Sequence, residues 1–218
     1  MRQTADWQLA NPTRNPKNDW HYGALYEGIR ALYEVTEDSR YIDELVNFGQ
    51  LFDWKPMDDI LHADPLAVVD NWGRGNGWII AGLTKILTIM PDDYEGRKKF
   101  EQQYTEMAHE LLSVQDEDGL WRVSLPDPEY IDLGESSGSA FFTYALAWGL
   151  NNGMLDPKYR PQVEKAWIAL CNNVTPEGKL GYVQQVAGDP YSSNKEEWHV
   201  YATGAFLLCG KQMYLKAK

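Results

Sequence analysis

The stretch NWGRGNGWIIAGLTKILTIM, Asn71 to Met90, decides how the chain is read. From Trp78 to Met90 it is strongly apolar, with Ile79, Ile80, Leu83, Ile86 and Leu87 at helical spacing. Two later segments, Ser139–Leu150 and Tyr201–Tyr214, are apolar almost all round, the pattern of an inner helix covered on every side. The three segments start 61 and 62 residues apart. Between and before them lie amphipathic patterns at Tyr22–Val35, Tyr41–Phe52, Arg97–Gln115 and Pro161–Cys171. Two returns carry an acidic-glycine turn followed by an aromatic: Glu117-Asp118-Gly119-Leu120-Trp121, and Glu177-Gly178 leading to Tyr182. An inner apolar helix and an outer amphipathic one, repeated at near-constant spacing, describe a ring of helical hairpins. Strand-like alternation is short, at Leu120–Leu125 and Leu180–Val186.

A closed ring of six such hairpins needs roughly 360 residues at this period. The chain has 218, which supplies three to four. The expectation is therefore a single all-α domain over 1–218, an incomplete toroid of helical hairpins. An incomplete ring leaves apolar helix faces bare. Self-association, or the remainder of a longer parent, would cover them.

The net charge of −12 argues against binding the phosphates of nucleic acid or an anionic membrane. It leaves room for a local basic pocket that takes one carboxylate. Nine Trp, thirteen Tyr and six Phe require burial or ligands, which argues against disorder. Cys171 and Cys209 cannot form a disulfide scaffold and read as inert buried thiols. No apolar run reaches membrane-spanning length, and the first residues lack the apolar stretch of a signal peptide. A cytoplasmic protein is expected, or a periplasmic one if a leader was removed.

The chemistry-bearing residues cluster where inner helices begin. In Trp72-Gly73-Arg74-Gly75-Asn76-Gly77-Trp78, Arg74 offers a planar fork of donors for a carboxylate, and Trp72 and Trp78 offer faces for a sugar ring. The glycines permit positive φ or close approach. Gly134-Glu135-Ser136-Ser137-Gly138 precedes another inner helix, which Ser136 or Ser137 would cap. Trp-His pairs stand at two further mouths: Trp20-His21-Tyr22, and Trp198-His199 before Tyr201. Asp58, Asp59, His62 and Asp64 gather within seven residues. A carboxyl there, partly buried among indoles, would have a raised pKa and act as a general acid. Metal-binding spacings such as HExxH or CxxC are absent, and no cofactor is expected. Carboxylates with a tryptophan-lined pocket point to carbohydrate chemistry.

Several strings together resemble glycoside hydrolase family 105, the unsaturated rhamnogalacturonyl hydrolases of pectin breakdown. They are Trp72 to Trp78, Asp118 to Trp121, Glu135 to Ala140, Gly181 to Gly188 and Trp198 to Gly204, with Asp19 to Gly23 resembling the start of the first inner helix. The resemblance implies an (α/α)6 barrel. It implies a reaction in which an aspartic acid protonates the C4=C5 double bond of a terminal unsaturated galacturonyl residue. Water then adds at C5, and the hemiketal opens to release the next sugar. By the same resemblance Arg74, Trp72 and Trp78 bind this substrate, an unsaturated uronic-acid oligosaccharide. Arg74 faces the carboxylate. The Trp-His pairs repeated at inner-helix mouths make Trp20, His21, Tyr22, Trp198 and His199 the expected pocket lining, and the resemblance makes Asp64 the best match to a catalytic aspartate, with Asp58 or Asp59 in reserve.

The family pattern then breaks. Asp64 runs through Pro65-Leu66-Ala67-Val68-Val69-Asp70 straight into Asn71-Trp72, where the family carries a longer stretch with its principal acid-base aspartate in a Trp-x-Asp context. The resemblance thus implies an internal deletion near 65–71 and an inactive or impaired enzyme. The alternative is a non-catalytic uronide-binding or assembly module on the same scaffold. A Gln-x-x-Asp-Gly-x-Trp string at Gln115–Trp121 also matches triterpene cyclases, without their acid motif.

Overall fold

The computed structural model of the chain describes residues 1–14, 17, 20–52, 73–186 and 191–216, without the side chains of residues 20 and 216. The described helices are α1 (Arg2–Ala10), α2 (Trp20–Thr36), α3 (Ser39–Leu51), α4 (Gly73–Ile89), α5 (Arg97–Ser113), α6 (Ser136–Asn151), α7 (Arg160–Asn172) and α8 (Val200–Lys216), with one 3-10 turn at Pro157–Tyr159. The architecture is all-α. Helices α4, α6, α8 and α2 stand side by side in that order as the inner row. Behind them, α5 packs on α4, α7 on α6, α1 on α8 and α3 on α2. Among the described residues, four outer–inner pairs form an incomplete toroid, as the repeat implied. Starts at Gly73, Ser136 and Val200, spaced 63 and 64 residues, preserve the period.

The central inner helices α6 and α8 are inner because their sequences leave them almost no polar face, whereas α2 and α4, at the ends of the row, keep polar stripes with Glu27, Arg30 and Lys85. Helix α6 is buried from Ser136 to Leu150, and α8 packs Tyr201, Ala205, Phe206 and Leu208 against its neighbours. The outer helices bury one stripe each, as with Tyr104, Ala108 and Leu111 of α5. Backbone carbonyls facing this core accept bonds from aromatic donors. Tyr104 Oη donates to Ala145 O at 2.7 Å and Trp121 Nε1 to Leu111 O at 2.7 Å. Both anticipated turns form, with Gly119 at φ +90° and Gly178 at φ +101°.

Three expectations need correction, and one helix is new. Helix α4 begins at Gly73 rather than Trp78, and α6 at Ser136 rather than Ser139, so the glycine- and serine-rich strings are first turns and not preceding loops. The glycines of α4 consequently work by close approach. A Cβ on Gly73 would lie 2.9 Å from Arg122 O, and one on Gly77 3.0 Å from Phe141 Cβ. Among the described residues the two strand-like segments make only single bridges, Arg122 with Gly134 and Val174 with Leu180. Their alternation reflects loop residues such as Trp121 and Val183 turned into the core. Cys209 is buried, but Cys171 is exposed, because it falls on the outer face of α7. Helix α1 was not anticipated: its sequence mixes polar and apolar residues without a strong stripe.

The two ends of the inner row differ. At one end, α2 and α8 touch backbone to backbone. A Cβ on Gly28 would meet Gly204 O at 2.6 Å, and one on Gly204 would meet Ala24 O at 2.0 Å. At the other end, α4 leaves Ile79 and Ile86 exposed, the bare face expected of an open ring. Lys85 of α4 reaches across to pair with Glu27 of α2, which also binds Arg30 at 3.2 Å. Burial raises the Glu27 carboxyl, but the hydrogen bonds and charges of Lys85 and Arg30 outweigh it and hold the group below the usual carboxylate range.

Two outcomes follow. Gly204→Ala forces the α2–α8 crossing apart and is expected to cost about 3 kcal/mol in urea unfolding, the upper end for overpacking. A cost within experimental error would show that this crossing is not tight. Glu27→Gln should cost under about 1 kcal/mol at neutral pH, since the pair is half exposed. Because the folded carboxyl is depressed, that difference is complete above the ordinary Glu pKa of about 4.3 and disappears as the pH falls below it. Unfolding midpoints of both proteins across that range check the sign.

Candidate functional site

The four inner helices begin at the same end, and their first residues meet there. Arg74 is the second residue of α4, Tyr201 of α8 and His21 of α2; Glu135 and His199 each immediately precede an inner helix. All five side chains are buried. Arg74 is 7% exposed, and its Nη1 donates to Gln184 O at 2.7 Å, Gln185 O at 3.1 Å and Tyr201 Oη at 2.6 Å. Its guanidinium carbon lies 5.3 Å from the centre of the Tyr201 ring. Tyr201 Oη in turn donates to Gln184 O. Burial pushes the Tyr201 hydroxyl well above the usual phenol range, against the lowering effect of Arg74. The phenol therefore keeps its proton and can both give and accept a hydrogen bond.

The imidazoles complete the cluster. His199 stacks on Tyr201 with centroids 4.2 Å apart, and His21 lies 5.1 Å from His199 and 6.4 Å from Tyr201. Trp78, one turn along α4 from Arg74, stands 6.1 Å from Tyr201 and 4.5 Å from Phe141. A cation, two imidazoles, a phenol and an indole thus converge from three helices. These groups have the chemistry to hold a planar, carboxylate-bearing ring, with donors for its charged edge and flat groups beside it.

Helix α6 contributes the support. Glu135, 3% exposed, is its N-cap, a place the sequence reading gave to Ser136 or Ser137. Its carboxylate accepts from Ser137 N at 3.0 Å, Ser137 Oγ at 2.6 Å, Gly138 N at 2.7 Å and Gln184 N at 3.1 Å. Four donors and the positive end of a helix make a buried carboxylate tolerable. Glu135 thereby ties residue 184 to α6 while Arg74 ties the same residue to α4. A serine is too short to reach both the α6 amides and Gln184, which is why the longer acid holds the cap.

The other anticipated residues divide. Trp198 packs edge-on against Trp7 at 4.9 Å, and its carbonyl accepts from Gln185 Nε2 at 2.9 Å, so it stands at the rim. Tyr22 is not in the cluster. Its hydroxyl accepts from Thr13 N at 3.1 Å and its ring packs on Tyr26 at 5.8 Å, on the outer side of α2. Trp72, Asp58, Asp59, Asp64 and the 65–71 junction lie outside the described residues, as does the side chain of Trp20. Among the described residues no three His, Cys, Asp or Glu side chains are grouped to hold a metal ion. Tyr201, Glu135 and Gln184 were missed as site residues. Their signal was present in the quoted strings, since each stands at or beside an inner-helix mouth.

Comparison with known proteins gives this arrangement a family. An unsaturated 3S-rhamnoglycuronyl hydrolase of Formosa agariphila is 47% identical over 206 residues, covering 94% of this chain and 53% of that protein. Another of the same name from an Alteromonas species is 38% identical, covering 88% of this chain and 50% of that protein. The chain thus spans about half the length of the curated relatives it matches. A solved family 105 glycoside hydrolase of C. acetobutylicum superposes with a TM-score of 0.73 over 98% of this chain and 99% of that one; at 18% identity it bears on the fold alone. The model of Glycosyl Hydrolase Family 88 matches residues 67–216, from before Arg74 to the end of α8, and the chain belongs to that family.

Proposed function

We propose that the mouth around Arg74 binds the unsaturated uronyl residue of a rhamnose-containing oligosaccharide, and that this polypeptide hydrates its double bond weakly or not at all. The observation that carries the reading is the position of Arg74, a buried guanidinium at the point where the starts of α4 and α8 meet the 184–185 backbone. In the proposed complex the uronate carboxylate takes the guanidinium fork. His21, His199 and Trp78, together with Trp72 and Trp20, flank the sugar. The protonated Tyr201 hydroxyl helps hold the carboxylate edge. The names of the two relatives favour an unsaturated uronyl group on 3S-rhamnose over the pectin-type galacturonyl group first expected.

The chemistry asks for one acid and one water. Protonation at C4 and addition of water at C5 give a hemiketal, whose opening releases the next sugar. Asp64, with Asp58 or Asp59 in reserve, is the acid that the family resemblance offers. The family's principal Trp-x-Asp acid has no match in the sequence, so the step lacks a well-placed proton donor. Binding without turnover, as a uronide-binding module, is the second reading, supported by the lack in the sequence of the family's Trp-x-Asp acid. Self-association through the exposed Ile79 and Ile86 stripe of α4 is the accompanying proposal, open to sedimentation analysis.

Adding an unsaturated rhamnoglycuronyl disaccharide and following the ultraviolet absorbance of its double bond, alongside calorimetric binding, tests both parts. The expected result is binding with little or no loss of absorbance. Arg74→Ala should weaken binding by about ten- to a hundred-fold, the value of one or two charge-assisted hydrogen bonds. Rapid loss of absorbance would contradict the impairment. Absence of binding, or unchanged binding by Arg74→Ala, would contradict the mouth.

A further inference from the structure

A cavity opens at Trp7, the residue that packs edge-on against Trp198 at the rim of the mouth. It holds about 610 Å³ and is lined by Trp7, Asn173, Lys179, Tyr182, Lys195 and Glu196 among others. That volume suits a small ligand, and nothing in the reaction described above uses it. We propose that this cleft is a second saccharide site, taking an acidic pyranose residue that lies beyond the terminal unsaturated disaccharide unit of the same oligosaccharide. The proposal rests on the uronide reading of the mouth.

Three observations carry it. The first is the pair of aromatic side chains. Trp7 and Tyr182 both line the cleft, and Trp7 is fixed by its edge-on contact with Trp198. Aromatic faces flanked by amides and charges are the usual dress of a sugar site, because a pyranose has an apolar face and a polar rim.

The second is backbone strain. Tyr182 has φ +56°, a region that non-glycine residues rarely occupy, and no glycine substitutes for it. Two backbone bonds enforce it: Tyr182 N to Asn194 O at 2.9 Å, and Ser136 N to Tyr182 O at 2.9 Å. The preceding Gly181 lies so close to Lys195 that a Cβ would stand 2.4 Å from its carbonyl oxygen. The left-handed residue keeps its carbonyl on α6 while Tyr182 stands in the wall of the cleft.

The third is charge and spacing. Lys179 is committed to Glu196, whereas Lys195 is exposed and has no ion pair among the described residues. Lys195 is thus available to a carboxylate or a sulfate ester. From Tyr182 the chain reaches Gln185, a partner of Arg74, in three residues, a span of at most about 10 Å. One continuous oligosaccharide can therefore occupy both sites.

The test compares an unsaturated disaccharide with the unsaturated tetrasaccharide, both released by a polysaccharide lyase from a sulfated rhamnose–uronate polymer. Calorimetry is run on the wild-type chain and on Tyr182→Gly, which removes the ring and relieves the φ strain, so that folding is not at risk. The wild type should bind the tetrasaccharide about ten-fold more tightly than the disaccharide, the gain expected of one ring contact. Tyr182→Gly should erase that gain without changing disaccharide binding, and Lys195→Ala should reduce both the gain and its salt dependence. Removing sulfate esters from the tetrasaccharide distinguishes the anions: a gain that survives assigns the carboxylate, and one that is lost assigns the sulfate. Equal binding of the two lengths by the wild type would overturn the second site and leave the mouth intact. So would a length gain that Tyr182→Gly preserves. Failure to bind either length would overturn the reading of the mouth, and the second site with it.

Discussion

One guanidinium organises the functional end of this molecule. Arg74 leaves the first turn of α4, is shielded from solvent, and satisfies itself on two backbone carbonyls and a phenol belonging to the α7–α8 connection and α8. A buried cation without partners would cost several kcal/mol, so its position constrains everything around it. Residues 184 and 185 must present their carbonyls to it, Tyr201 must turn its hydroxyl inward, and Glu135 must hold residue 184 from the other side. The two histidines then fall beside Tyr201 because they stand at the same level of neighbouring helices.

This convergence depends on how closely the inner helices approach. The α2–α8 crossing at Gly28 and Gly204 admits no side chain, and the α4–α6 contact at Gly77 and Phe141 is nearly as tight. Small residues at these crossings bring the helix starts within reach of one another. The opposite edge of the row is different in kind. There α4 presents Ile79 and Ile86 to solvent and meets α2 through a half-exposed ion pair, an interaction of small energetic value. The row is closed firmly where glycines meet and weakly where the family barrel would continue.

The sequence carried most of this architecture because hydrophobic periodicity is a property of whole helices. The 61- and 62-residue spacing gave the hairpin repeat and the shortage of hairpins, and the family strings marked the mouths. What it carried poorly were first turns and side-chain direction. The Gly-rich string at Gly73–Gly77 reads as a loop by composition, yet its glycines serve helix packing. Ser136 and Ser137 have the preferred capping chemistry, but Glu135 reaches farther and joins two segments. Tyr22 follows His21 by one residue, and one residue on a helix is a rotation of about 100°, enough to send it to the outer side. Tyr201 escaped notice because its burial and its bond to Arg74 depend on a partner 127 positions away.

The most direct measurement is a crystal structure of the chain with an unsaturated rhamnoglycuronyl disaccharide bound. The uronate carboxylate is expected on the Arg74 guanidinium, within hydrogen-bond distance, with His21, His199 and Trp78 around the ring. A disaccharide seated elsewhere, with Arg74 still bonded to Gln184, Gln185 and Tyr201 and no sugar near it, would contradict this placement.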